Sequence, residues 1–131
     1  MRICLDTSAY SAYYRGHPGI RELIQRAGEI VLAPITLGEL LGGFRTGSRF
    51  AENRALLERF LASPRVRVVS IDAETAGRYS EILAHLRQKG RPIPTNDLWI
   101  AATAMQHGLR VVTTDPHFGR LPQISSEVLE I

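Results

Sequence analysis

An α/β fold built on a mainly parallel, five-stranded sheet flanked by helices is what this sequence predicts, and three observations predict it. Short apolar runs alternate with longer helical stretches along the whole chain. The short runs are continuously apolar, as strands covered on both faces are, where a half-exposed strand would alternate. No repeat, low-complexity tract or linker interrupts the pattern, so the 131 residues are expected to form one domain, 1–131.

Each element has a local reason. "RICL" is an apolar run that stops at Asp6 and reads as the first strand. "SAYSAYYRG" and "PGIRELIQRAG" read as helices closed by Gly16 and Gly28, the second with Pro18 in its first turn. "EIVLA" is the second strand, broken by Pro34, and helices are expected over Thr36–Thr46 and Phe50–Ala62. "VRVVSI" is the third strand, after which Asp72 caps a helix from Ala73 to about Lys89, stopped by Gly90 and Pro92. Asp97 opens the next helix, which ends at Gly108. "RVVTT" is the fourth strand, and "EVLEI" supplies a short fifth. Gly38 and Gly42 form a GxxxG pair that predicts close helix packing, while Gly43 and Gly47 weaken the same helix.

Composition narrows the class. No run of about 20 apolar residues exists, and the N-terminal stretch meets Asp6 before an apolar signal core develops, so the expectation is a cytoplasmic protein. The lone Cys4 lies in a strand and has no disulfide partner within the chain. Sixteen bases against thirteen acids give +3, and fifteen of the bases are arginine, Lys89 being the exception. Arginine abundance follows from a GC-rich genome, yet the balance also suits a polyanionic substrate.

The acids are the informative residues. Open parallel sheets bind ligands at the carboxyl ends of their strands. Asp6 follows strand one, Asp115 follows strand four, and Glu39 and Asp97 fall at the starts of helices that face the same crevice. Each has a purely structural alternative. Thr36-Leu-Gly-Glu39 matches a capping box, Asp97 complements a helix dipole, and Asp6 and Asp115 suit turns. Together they are harder to dismiss. Three of only four aspartates lie at the expected mouth of the sheet, and carboxylates crowded there repel unless a cation neutralises them. An all-oxygen cluster suits Mg²⁺ or Mn²⁺ and not zinc. The four histidines show no metal-ligand spacing with one another or with Cys4, and each reads as a surface or satisfied residue.

"CLDTS", "LGELLGG", "PIPTNDLWIAATA" and "VVTTDPHFGRLPQI" resemble the four motif regions of PIN-domain ribonucleases, in particular VapC-type toxins of type II toxin–antitoxin pairs, with the FitB-like branch among them. The resemblance runs over the whole chain. It implies a sheet of order 3-2-1-4-5, a Mg²⁺ or Mn²⁺ site, and single-strand-directed RNA cleavage. Asp6, Glu39, Asp97 and Asp115 fall on the family's acidic positions, and Ser8 and Thr113 fall near its hydroxyl positions. Many toxins of this branch carry asparagine where Asp115 stands. Setting the four acids aside leaves nine acids against sixteen bases, +7 outside the site, and Arg87, Lys89 and Arg91 are the bases expected nearest the RNA. Their alternative is a solvated helix end favoured by the dipole.

The resemblance also implies a small VapB-like antitoxin whose tail crosses the cleft. A basic residue of that tail would pair with Asp6, Glu39 or Asp97 in place of the metal. Its apolar part is expected on Tyr10, Tyr13, Tyr14, Leu40 and Phe44, unless these are core or homodimer contacts. Two other functions compete. A haloacid-type phosphatase needs an aspartate where Ser8 stands, and a receiver domain, with Asp72 as phosphoacceptor, needs a lysine after a late strand that "RVVTT" lacks. A non-catalytic RNA-binding PIN domain would be expected to have lost at least one of the four acids.

Overall fold

The computed structural model describes residues 1–131. Its strands are β1 (Arg2–Leu5), β2 (Glu29–Leu32), β3 (Val66–Val68), β4 (Arg110–Thr113) and β5 (Ser125–Val128). The helices are α1 (Thr7–Tyr14), α2 (Pro18–Arg26), α3 (Pro34–Thr46), α4 (Phe50–Leu61), α5 (Ala73–Lys89) and α6 (Thr95–His107), and a 3₁₀ turn spans Pro116–Arg120. The sheet order is β3-β2-β1-β4-β5, and every neighbouring pair is parallel. No helix is long and apolar enough to cross a membrane.

Pleating sorts the strand residues between two cores. Ile3, Leu5, Ile30, Leu32 and Val112 face α1 and α2, where they meet Ala9, Ala12, Ile20 and Ile24. Cys4, Val31 and Val111 face the other way, onto Ile82 and Leu86 of α5 and Leu98, Ala101 and Ala102 of α6. The central strands are therefore covered on both sides, which is why they read as unbroken apolar runs. Burial also pushes the Cys4 thiol up to about 12, leaving it an inert core residue.

Helix ends follow their sequence signals in several places. Asp72 accepts the Thr75 N–H while the Thr75 hydroxyl accepts the Asp72 N–H, a reciprocal cap for α5. Gly90 and Gly108 close α5 and α6 with φ of +63° and +64°, a left-handed conformation that costs glycine least. Pro18 opens α2 as expected, with the His17 ring as its cap.

Four expectations are corrected. Helix α3 begins at Pro34, with Ala33 as N-cap and no side-chain capping bond, so Thr36 and Glu39 form no capping box. Proline pre-sets the first helical φ and needs no donor there, so it starts the helix as well as ending the strand. A Cβ on Gly38 or Gly42 would meet nothing within 4 Å, so the GxxxG pair makes no close packing contact. Strand β3 stops at Val68, short of Ile71, and β5 runs Ser125–Val128, earlier than "EVLEI". Both are edge strands, whose limits depend on the one neighbour available for pairing. Tyr10 and Leu40 are buried, 4% exposed each, while Tyr14 is 46% exposed; only part of the expected apolar surface is a surface.

Candidate active site

The order of the strands reverses direction between β1 and β4, and a parallel sheet opens a crevice at the carboxyl ends of such a pair. Asp6 follows β1 directly. It caps α1, with Oδ1 accepting the Ala9 N–H at 2.8 Å, and is 4% exposed. Two hydroxyls complete its shell. Thr113 Oγ1 donates to Asp6 Oδ2 at 2.5 Å and accepts the Asp115 N–H at 2.9 Å. Ser8 Oγ lies 2.8 Å from Asp6 Oδ1 and accepts the Thr114 N–H at 3.0 Å. Ser8 and Thr113 thus tie the end of β1 to the end of β4 through the carboxylate itself. Burial pushes the Asp6 carboxyl above its ordinary value, opposed by the bonds from Thr113, Ala9 and Ser8 and reinforced by the Asp115 charge.

Asp97 is held differently. It lies in the first turn of α6, half-buried, with Pro94 as the N-cap and no side-chain capping bond. Its carboxyl is pushed up to about 6, first by burial and then by the charges of Asp115, Asp6 and Glu39. His117 pulls in the opposite direction, and no arginine or lysine forms an ion pair with Asp97. The apolar residues after it explain its fixity: Leu98, Ile100, Ala101, Ala102 and Ala104 are buried, and Trp99 stacks on Tyr79 of α5 with ring centroids 4.2 Å apart.

Glu39 lies in the second turn of α3, on an exposed stretch. Its Oε1 accepts the Thr7 hydroxyl at 2.5 Å and its Oε2 accepts the Asn96 amide at 3.3 Å. The contact with Asn96 sets it beside the first turn of α6. Asp115 caps the 3₁₀ turn, accepting the His117 N–H at 2.9 Å. The carboxylates of Asp97 and Asp115 and one ring nitrogen of His117 all lie within 4.8 Å of one another. His117 Nδ1 is 3.1 Å from Asp115 Oδ1, but in an orientation that makes no hydrogen bond, so this buried nitrogen is left without a partner.

The four predicted acids therefore reach one crevice from four chain segments, though not equally. Asp97 and Asp115 form the tight group, Asp6 is locked beside them, and Glu39 flanks Asp97 from the α3 side. The histidine was missed in the sequence. Its only signal is its place two residues after Asp115 in "TTDPHF", and nothing there reveals that a 3₁₀ turn folds the ring back onto the aspartates. Three carboxylate donors, a flanking glutamate and an unpartnered ring nitrogen suit a hard divalent cation, which would relieve the repulsion that raises Asp97. Arg87, Lys89 and Arg91 are exposed at and just beyond the end of α5. Lys89 and Arg91 line one groove with Arg120, while Arg87 opens onto a neighbouring cleft with Leu83 and Pro92.

Comparison with known proteins identifies the family to which this fold belongs. Residues 3–124 match the PIN domain. Ribonuclease VapC4 of Mycobacterium tuberculosis is 31% identical over 97 residues, 74% of this chain and 73% of that protein. Toxin FitB of Neisseria gonorrhoeae is 32% identical over 123 residues, 86% of this chain and 87% of that protein. The structure of VapBC2 from Rickettsia felis, bound to a DNA fragment from their promoter, superposes with a TM-score of 0.85 at 27% identity, covering 99% of this chain and 100% of that one. With its fold and these relatives in agreement, the chain belongs to the PIN-domain family, among the VapC ribonucleases.

Proposed function

We propose that this protein is a metal-dependent endoribonuclease acting as the toxin of a toxin–antitoxin pair, with Asp6, Glu39, Asp97 and Asp115 holding Mg²⁺ or Mn²⁺. One observation carries the reading: Asp97 is pushed up to about 6 by burial and by three other carboxylates, and no arginine or lysine is ion-paired with any of the four. A fold does not retain such repulsion for its own stability, whereas a bound cation removes it. When bound, the cation supplies Lewis-acid activation of the phosphodiester and of water.

The chain's own residues do the rest. Ser8 and Thr113 fix the orientation of the Asp6 carboxylate, so it need not reorganise when a ligand arrives. Thr7 and Asn96 aim Glu39 from the side. The packed stem of α6 holds Asp97 still. His117, with an unpartnered nitrogen beside Asp115, is positioned to hold a proton or donate a hydrogen bond at the edge of the cluster. The excess of bases outside the site draws the RNA in.

An antitoxin restrains the enzyme in this reading. A cleft of about 570 Å³ between α1, α2 and α4 has an apolar floor that includes Tyr13, Ile24 and Phe60, and a rim of Arg21, Arg59 and Arg65. That chemistry fits an amphipathic, acidic segment of the partner, while a basic residue further along its tail would reach the carboxylates. A homodimer is the other assembly these helices would serve. The test is co-expression with the adjacent small gene. A co-purifying complex that cuts no RNA is expected, together with free protein that cuts RNA with Mg²⁺ or Mn²⁺ and spares it with EDTA. Free protein that is harmless in cells and inert on RNA with either ion would overturn the reading.

A further inference from the structure

The basic groove beside the 3₁₀ turn is not needed to hold a metal. Its volume is about 530 Å³, and its walls carry His85 and Lys89 of α5, Arg91 beyond it, and Gly119 and Arg120 of the turn. The ion pairs of the chain engage Arg2, Arg26, Arg54, Arg67, Arg78 and Arg110. Lys89, Arg91 and Arg120 pair with no acid. The sequence makes this one-sided: residues 82–96 and 116–126 contain no aspartate or glutamate, and the groove lies where these two stretches face each other. The helix dipole accounts for Lys89 at the end of α5, but Arg91 lies beyond the helix. Like charges brought together without counter-charges call for a bound anion.

The two walls also lead to the carboxylates. The segment from Arg91 to Pro94 runs directly into α6, whose first turn carries Asp97, and the 3₁₀ turn ending at Arg120 begins beside Asp115. We infer that this groove binds the sugar–phosphate backbone of the RNA on one flank of the cleavage site, and that it does so without reading bases. Leu86 is its one hydrophobic lining residue, no phenylalanine, tyrosine or tryptophan is present to stack a base, and His85 supplies its single aromatic ring. Guanidinium and ammonium groups alone contact phosphates, which fixes the strand's path but carries no sequence information. Any sequence preference then arises elsewhere, at the carboxylate cluster or in the shape of the target. The inference rests on the ribonuclease reading for its substrate class.

Binding is measured without cleavage, in EDTA, by fluorescence anisotropy of short oligouridylate and oligoadenylate across a salt series. Each base removed should flatten the log–log salt dependence by about 0.7, so combining Lys89→Gln, Arg91→Gln and Arg120→Gln should flatten it by about 2. Extrapolated to the salt concentration where charge no longer matters, that is roughly a 100-fold loss near 0.1 M salt. The loss should be equal for both oligonucleotides. The three side chains are exposed, and the single Arg120→Gln variant gives the same test with one third of the slope change. Arg26→Gln, which removes a base paired with Glu22 on the far helix α2, should leave binding unchanged.

Wild-type binding by the triple variant overturns the inference. So does an equal loss in Arg26→Gln, which would mean bulk charge, or a loss confined to one oligonucleotide, which would mean base reading. A triple variant that keeps oligonucleotide binding but no longer co-purifies with the antitoxin would show a protein interface instead. Groove-dependent binding in a protein that never cuts RNA with Mg²⁺ or Mn²⁺ would remove the ribonuclease reading and leave the groove standing.

Discussion

The two ends of the sheet treat carboxylates in opposite ways. At the amino end, Glu29 sits between Arg2 and Arg67, at 2.9 and 2.6 Å, and the pair of bases holds its carboxyl down to about 2. Arg110 and Glu127 pair across β4 and β5 at the same end. At the carboxyl end, Asp97 has no such partner and is pushed up to about 6. Arginine is abundant in this chain, so its absence from the acid cluster is a matter of placement and not of supply. One end is finished as a surface, and the other is left in electrostatic debt to something the chain does not contain.

The largest effect is expected from breaking the carboxyl end. Asp97→Asn or Asp6→Asn should lower RNA cleavage by roughly 100-fold or more, since in the proposed reading each removes a carboxylate that holds the cation. The fold should survive in Asp97→Asn, because the repulsion is relieved. Wild-type turnover by either folded variant would end the assignment. Glu39→Gln comes next. Its oxygen can still accept the Asn96 amide while its new amide group donates to the Thr7 hydroxyl. The charge is lost, so cleavage should fall by about 10–100-fold while stability changes by less than about 1 kcal/mol. Retained activity with lowered stability would mean that Glu39 only braces α1 against α3.

Cation binding sharpens the comparison without touching activity. At a concentration 100 times its dissociation constant, Mg²⁺ or Mn²⁺ should stabilise the wild-type fold by about 2.7 kcal/mol, seen as a raised Tm, and should leave Asp97→Asn nearly unmoved. A similar rise in both proteins would place the ion elsewhere.

The smallest effects come from pH. The Asp97 carboxyl has a folded value near 6, raised above its ordinary 3.8. Its ionisation therefore opposes folding, and the metal-free protein loses stability from this group as pH rises from about 4 to 6. The Tm advantage of Asp97→Asn over wild type should grow through that window and level off above it. Glu29 has the reverse sign. Its depressed value means stability that is present above about 4.5 and lost as pH falls towards 2. Glu29→Gln should cost a little at neutral pH and nothing in strong acid, and an equal cost at both would deny the ion pairs any role.

How legible all this was depended on the kind of signal. The strands of the sheet centre were plain because burial on both faces leaves a continuous apolar run, as in "RICL" and "RVVTT". The β3 and β5 limits were not, since an edge strand's length is set by its partner. The caps of α5 and α2 could be read from Asp72 and Pro18. That of α3 was misread, because Thr36 and Glu39 have capping-box spacing while the backbone had already entered the helix at Pro34. Asp6, Glu39, Asp97 and Asp115 could be grouped in the sequence because few aspartates exist and three lie at the ends of strands or in the first turn of a helix at the crevice.

By itself, the sequence determined the alternation of elements, the parallel sheet and the supply of acids, because hydrophobic period and helix-end chemistry are local properties of the chain. Tertiary structure alone decided which acids share a field. The raised Asp97 carboxyl, the Thr113 bond to Asp6, and the meeting of Asp115 and His117 with Asp97 all depend on distances between segments far apart in the chain. Electrostatic energy falls with separation in space, and separation in sequence does not report it.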